Sequence, residues 1–295
     1  MDRTTKGLIA ILLCAILWST GGLFIKLIAW HPMVIAGSRS LIAALFMLVL
    51  RFRNKARFNS QNQDRSRKTK IAFWAAAISY SMTMMLFVIA NKLTASANAI
   101  LLQYTAPIYA ALLGWGLLKE KPRAEHWLGL LAVSVGLYFF FREGLASPSI
   151  LGDGVALLSG LTFALYSVFM RMQKDGSPTD SALMAHLISA AVGLPFMFTF
   201  IPEFDLVSVL AILGLGIVQL GIPSLLFSYG IRRVSAVQSM LAAVVEPVLN
   251  PVWVLLATGE VPGNAAIAGG TVILVAVTLS SVFSLRHARR LRRAG

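Results

Sequence analysis

The chain has 295 residues, 57% of them hydrophobic and only 13% charged. A soluble domain carries about a quarter charged residues, so this composition excludes a globule surrounded by water and makes hydrocarbon the solvent for most of the chain. The net charge of +14, from 26 basic and 12 acidic residues, would suit a nucleic-acid partner only if the basic residues formed one patch.

A membrane-spanning helix needs about 20 mostly apolar residues. Ten segments satisfy this in chain order: 7–28, 33–50, 71–91, 95–118, 126–141, 150–171, 180–201, 206–229, 235–258 and 264–285. The first follows Arg3 and Lys6, as a signal peptide would. Its apolar stretch from Gly7 to Ile28 outruns a signal core, and it is expected to remain as a helix. It carries Cys14, the single cysteine, which reads as a small membrane side chain. Trp18 lies eleven residues in, near mid-membrane, ahead of Gly21-Gly22, which permits a close helix contact or a kink. Lys26 sits near the outer end, where it can snorkel to the interface.

The second segment holds Arg39, about two turns from its outer end, and is followed by a polar, basic stretch from Arg51 to Lys70. The third carries Tyr80 and a group of methionines, Met82, Met84 and Met85, which read as packing. The fourth holds Gln103, Tyr104 and Pro107. The sixth carries Tyr166 and the seventh His186. The ninth holds Glu246, Pro247, Asn250, Pro251 and Trp253. No soluble domain fits between the segments.

With the amino terminus placed in the cytoplasm and the segments alternating, all but four of the 26 basic residues fall on cytoplasmic loops and ends. The exceptions are Lys92 and Arg142 outside, and Lys26 and Arg39 within segments. This is the positive-inside pattern, with both termini cytoplasmic. It removes the nucleic-acid reading, because the charge forms a ring of loops suited to anionic headgroups of membrane lipids.

A shift of 140 residues superposes the two halves from the third segment into the fifth. Leu86-Phe87 falls on Leu226-Phe227, Asn98 on Gln238, Pro107 on Pro247, Glu120 on Glu260, Pro122 on Pro262 and Gly129 on Gly269. Trp18-Ser19 faces Tyr166-Ser167 at a shift of 148. Five segments per half is an odd number, so the second half enters the membrane from the opposite side. The expected fold is an all-α membrane protein of ten transmembrane helices, with residues 1–145 and 146–295 as two inverted five-helix repeats. Such symmetry serves alternating access around a midplane site.

The run Gln103-Tyr104-Thr105-Ala106-Pro107, continuing to Glu120-Lys121-Pro122, resembles the fourth helix of EamA-type transporters of the drug/metabolite transporter superfamily. Leu17-Trp18-Ser19-Thr20-Gly21-Gly22 with Arg39, and Glu246-Pro247 with Glu260-Val261-Pro262, also resemble that family. The resemblance covers nearly the whole chain. It implies gradient-driven transport, with a lean toward export of a small organic metabolite such as an amino acid, in a prokaryotic inner membrane. The architecture is YddG-like. Aromatic-amino-acid exporters of that type carry Trp just before the fourth-helix proline, where this chain has Ala106, so the resemblance does not extend to aromatic specificity.

Glu246 lies about 16 Å deep, from eleven residues at 1.5 Å each. A carboxylate there costs roughly 2.5–3.5 kcal/mol on insertion scales and needs a cavity or a partner. It could carry a coupling proton, bind a substrate ammonium, or serve as a structural pair. Arg39 could pair with Glu246 or another acid, or bind a substrate carboxylate. Asn250 shares the face of Glu246. Pro107, Pro247 and Pro251 free backbone carbonyls, which membranes tolerate beside cavities. Trp18, Tyr80, Gln103, Tyr104, Tyr166 and Trp253 are the candidate walls, and Gly21 and Gly22 candidate hinges. His31, His126, His186 and His287 are scattered without metal-ligand spacing, and no Walker motif or nucleophile elbow occurs. Neither a cofactor nor a metal is expected, nor an enzyme. The alternatives are a lipid flippase, which would show a long lateral groove, and a non-transporting scaffold.

Overall fold

The computed structural model describes residues 2–53, 66–94, 96–122, 124–144 and 149–258, and beyond these only isolated helical positions between 268 and 279. Among the described residues the fold is entirely helical. The elements are α1 (Arg3–Trp18), α2 (Gly21–Lys26), α3 (Pro32–Arg53), α4 (Arg67–Leu93), α5 (Ser96–Gln103), α6 (Ala106–Leu118), α7 (Ala124–Gly144), α8 (Ile150–Met172) and α9 (Pro178–Gly193). A 3₁₀ turn (Leu194–Phe198), α10 (Leu206–Gly214), a π turn (Leu215–Gly221), α11 (Ile222–Ile231), α12 (Ala236–Ala243) and α13 (Val245–Thr258) complete them.

Among the described residues, six stretches are long and apolar enough to cross a membrane: Arg3–Lys26, Pro32–Arg53, Arg67–Leu93, Ile150–Met172, Pro178–Phe198 and Leu206–Ile231. Ala106–Leu118 and Ala236–Leu249 are shorter apolar helices. The tenth expected segment, 264–285, lies largely outside the described residues, as do Glu260, Pro262 and Gly269 of the repeat match.

Large apolar side chains also cover the outer face of the helices, where a soluble protein carries polar ones. On α4 the buried face carries Ala72, Ala76 and Thr83, while Ile71, Trp74, Ile78 and Met82 are exposed at helical spacing. Small residues let the backbones approach where lipid supplies no hydrophobic drive between helices. One such approach joins α3 to α9. A Cβ on Gly37 would lie 2.6 Å from the Leu194 amide nitrogen, and one on Gly193 would lie 2.5 Å from the Met33 carbonyl oxygen. Only glycine fits at either position.

The two halves interleave. α1 packs on α11, α4 on α8, α3 on α9, and α6 on α12. Numbered as spans, these contacts are first with eighth, third with sixth, second with seventh, and fourth with ninth. Replacing every span by its counterpart five places away returns the same set, so the packing itself carries a two-fold relation between the halves.

Several expected spans are interrupted. The first breaks at Ser19-Thr20, ahead of Gly21-Gly22; the fourth breaks at Tyr104-Thr105 and the ninth at Val244. The last two breaks lie just before Pro107 and Pro247, and Tyr104 and Val244 are themselves 140 residues apart. Proline cannot donate to the carbonyl four residues earlier, and it is tolerated in the first turn of a helix, where that donor is idle. Each proline therefore restarts a helix. The start of α12 is fixed separately by a capping box: Ser235 Oγ accepts from the Gln238 amide at 3.2 Å, and Gln238 Oε1 accepts from the Ser235 amide at 3.2 Å.

Candidate functional site

The broken helices meet around a cavity of about 40 Å³, room for a few water molecules. Trp18, Arg39, Tyr80, Met84, Phe87 and Gln103 line it from the first half, and Phe163, Gln219, Leu220 and Glu246 from the second. Thr83 also lines it, and four of the lining residues, Trp18, Tyr80, Phe87 and Phe163, are aromatic. Trp18 lies edge-on to Phe163 at 5.3 Å and against Phe227 at 5.5 Å. Tyr166 does not line the cavity; it stacks behind Tyr80 at 4.1 Å and against Phe227 at 5.1 Å. The reason is the packing of α8 on α4, which leaves Tyr80 between Tyr166 and the opening.

Tyr104 and Glu246 come together at the junction of the two halves. Pro247 leaves the Ala243 carbonyl without its helical donor, and the Tyr104 hydroxyl takes that place at 2.8 Å. The same hydroxyl lies 2.5 Å from Glu246 Oε2. A phenol has one proton and here faces two acceptors. The set is complete when the Glu246 carboxyl carries its own proton, donating to Tyr104 while Tyr104 donates to Ala243.

Arg39 and Glu246 do not pair. Among the described residues the ion pairs join Arg51 to Asp180 and Arg171 to Glu120. Arg39, only 1% exposed, instead donates through Nη1 to Gln219 Oε1 at 3.3 Å and through Nη2 to the Met84 carbonyl at 2.7 Å. Its Nε has no partner among the described residues. Gln219 is the one amide side chain in the eighth expected span and stands in the π turn, a geometry that often marks functional positions. The lone amide was the available sequence signal for it.

A polar ladder ties α4, α5 and α8 beside the cavity. Gln103 Nε2 donates to Ser159 Oγ at 2.8 Å, and Thr83 Oγ1 donates to Thr162 Oγ1 at 2.9 Å. Pro107 frees the Gln103 carbonyl, and α8 covers it closely, since a Cβ on Gly160 would lie 2.7 Å from that oxygen. Trp253 Nε1 donates to Ser19 Oγ at 2.6 Å, bracing the break in the first span. His186 pairs with Ser224 at 2.8 Å. Asn250 and Pro251 lie on α13, but their side chains fall outside the described residues. Among the described residues no group of three or more His, Cys, Asp or Glu is placed to hold a metal.

Both ends of the helix cluster are tied. At one end, Lys119 closes α6 in the left-handed conformation (φ 57°), and next to it Glu120 accepts from Arg171 Nε at 2.8 Å. Glu120 also accepts from the Ala236 amide at 3.4 Å, and Arg171 Nη1 donates to the Ile231 carbonyl at 3.1 Å. A pocket of about 340 Å³ adjoins this knot, with Arg233 and Gln238 in its wall. At the other end, Lys92 donates to the Ile28 carbonyl at 2.6 Å and Lys26 to the Thr94 carbonyl at 3.4 Å. Lys26, expected to snorkel, instead ties α2 to the residue that ends α4.

The sequence model of the EamA-like transporter family matches residues 5–142 and again 150–282. An uncharacterized transporter of Archaeoglobus fulgidus is 26% identical over 272 residues, 92% of this chain and 94% of the relative. The uncharacterized transporter YwfM of Bacillus subtilis is 26% identical over 210 residues, 66% of this chain and 70% of the relative. Among solved structures, a protein crystal structure superposes with a TM-score of 0.76 at 21% identity, covering 96% of this chain and 98% of the other. That likeness concerns the fold alone.

Proposed function

This chain belongs to the EamA-like transporter family, and on that premise we propose that it is a secondary active transporter exporting a small organic metabolite, such as an amino acid, by alternating access around the Arg39–Glu246 cavity. The observation that carries the reading is the meeting of two proline-broken helices, one from each half, at a buried cavity holding one cation and one carboxyl. Inverted repeats with discontinuous helices at the midplane form such sites. The working unit is ten transmembrane helices in a prokaryotic inner membrane, as inverted repeats over 1–145 and 146–295 with both termini cytoplasmic.

Trp18, Tyr80 and Gln103 form the walls, with Tyr166 supporting Tyr80 and Tyr104, behind the lining, holding Glu246. The breaks at Gly21-Gly22, Pro107 and Pro247 are the hinges. Since the cavity holds only a few waters, a solute enters when the halves part, and the two tied ends act as alternate gates. The Glu120–Arg171 knot closes the cytoplasmic side, and the Lys92 and Lys26 contacts close the outer side. Glu246 carries the coupling proton. Its loss moves the single Tyr104 hydrogen onto the carboxylate and leaves the Ala243 carbonyl without a donor, which changes the bonding between the halves at the break, and its return restores the first arrangement.

Alternating access is testable without knowing the solute. In a Cys14→Ser background, single cysteines replace Phe87 at the cavity and Gln238 at the cytoplasmic pocket. In proteoliposomes of known orientation, reversing the proton gradient changes their reactivity toward an impermeant maleimide in opposite directions. Simultaneous reactivity of both, or indifference to the gradient, rejects the mechanism.

A further inference from the structure

Among the described residues, Arg39 is a buried cation with no countercharge. Its protein partners, Gln219 and the Met84 carbonyl, are neutral, and the one carboxyl lining the same cavity is engaged by Tyr104. A guanidinium in a membrane interior is kept only where something balances it. Its Nε–H, unpartnered among the described residues, and an Nη hydrogen beside it form the side-on fork that fits the two oxygens of a carboxylate. The rest of the lining carries no charge: Tyr80, Thr83 and Gln103 are neutral polar groups, and Trp18, Phe87, Phe163 and Leu220 offer apolar and aromatic surface.

We infer that the transported solute is an organic carboxylate with an apolar body, its carboxylate seated on Arg39 and its body against the aromatic wall, while Glu246 makes no ion pair with it. An amino group on the solute is neither required nor sufficient. This rests on the cavity being the transport site.

The test uses the purified full-length chain and thermal shift with matched sets: 4-methylpentanoate, leucine, leucinamide and isopentylamine, then 3-phenylpropanoate, phenylalanine, phenylalaninamide and phenethylamine. The acids are expected to raise the melting temperature at millimolar concentration, and the amides and amines are not. Arg39→Gln weakens acid binding on the order of 100-fold, as expected for removing one partner of a desolvated charge pair, and Arg39→Lys weakens it less. The inference is overturned if amides or amines match the acids, if no acid stabilises the wild type, or if acids bind Arg39→Gln as tightly. Should Arg39→Gln fail to fold, the wild-type contrast of acid against amide decides alone. The cysteine test of alternating access needs no solute, so it can succeed while this one fails; the transport reading would then stand with the solute class wrong.

Discussion

The hydroxyl of Tyr104 bridges Glu246 Oε2 and the Ala243 carbonyl at 2.5 and 2.8 Å, joining the two halves of the chain at the point where a proline has broken the second. Tyr104→Phe keeps the ring and leaves both acceptors without that donor. It is expected to cost about 1–3 kcal/mol in melting experiments. Glu246→Gln behaves differently, because its amide N–H donates to Tyr104 as a protonated carboxyl does. Stability should stay within about 1 kcal/mol of wild type, while transport in proteoliposomes loses its pH dependence and solute exchange persists. Unchanged pH dependence in the amide variant would remove Glu246 from coupling.

The glycine contact between α3 and α9 gives a prediction with an internal control. Gly37→Ala places a methyl 2.6 Å from the Leu194 nitrogen, against backbone that cannot yield. A loss of about 1–3 kcal/mol is expected. Gly116, in α6, has nothing within 4 Å of its added carbon, and Gly116→Ala should be neutral or gain up to about 1 kcal/mol from helix propensity. Equal melting temperatures for the two variants would contradict the packing described.

The Glu120–Arg171 knot holds four chain segments, so Arg171→Ala should do more than delete a surface ion pair. The side chains are 16% and 28% exposed for Arg171 and Glu120, and the Ile231 carbonyl loses its donor as well. A cost of about 1–2 kcal/mol is expected. A cysteine at Gln238 should label faster from the cytoplasmic side. Slower or unchanged labelling would show that the knot does not gate the pocket.

Topology yields a direct check. A cysteine at Ser66 should react only from the cytoplasmic face, and one at Pro202 only from outside. Reaction of both from one face would refute the ten-helix count.

Much of the fold could be read from the sequence because hydrocarbon imposes long apolar runs. The six long helices lie within a few residues of the first, second, third, sixth, seventh and eighth expected spans. Pro107 and Pro247 also announced where continuous hydrogen bonding must fail, since a missing N–H is a local property. The partners of Arg39 could not be read in the same way. Gln219 is 180 residues distant, and which residue reaches the guanidinium depends on how high the π turn rides against α3. Tyr166 illustrates the same limit: its type and span suited a wall, yet the face of α8 that meets α4 puts it one ring behind. The Tyr104–Glu246 bond combines both kinds of information, a carbonyl freed by local chemistry and a donor delivered by the packing of opposite halves.

The two carbonyls released by proline are treated unequally. The one at Ala243 is taken by a phenol, whereas the one at Gln103 is covered by α8 at Gly160. A rocking protein made of two identical halves would favour neither orientation. Here, among the described residues, one break holds a hydrogen bond whose counterpart is missing at the other. About 1 kcal/mol of difference, the usual net value of such a bond, tilts a two-state balance roughly five-fold. If the halves rock as proposed, the molecule has a resting posture before any gradient acts on it. In that mechanism Tyr104 biases the posture, and exchanging it for phenylalanine would move the machine toward indifference between its two faces.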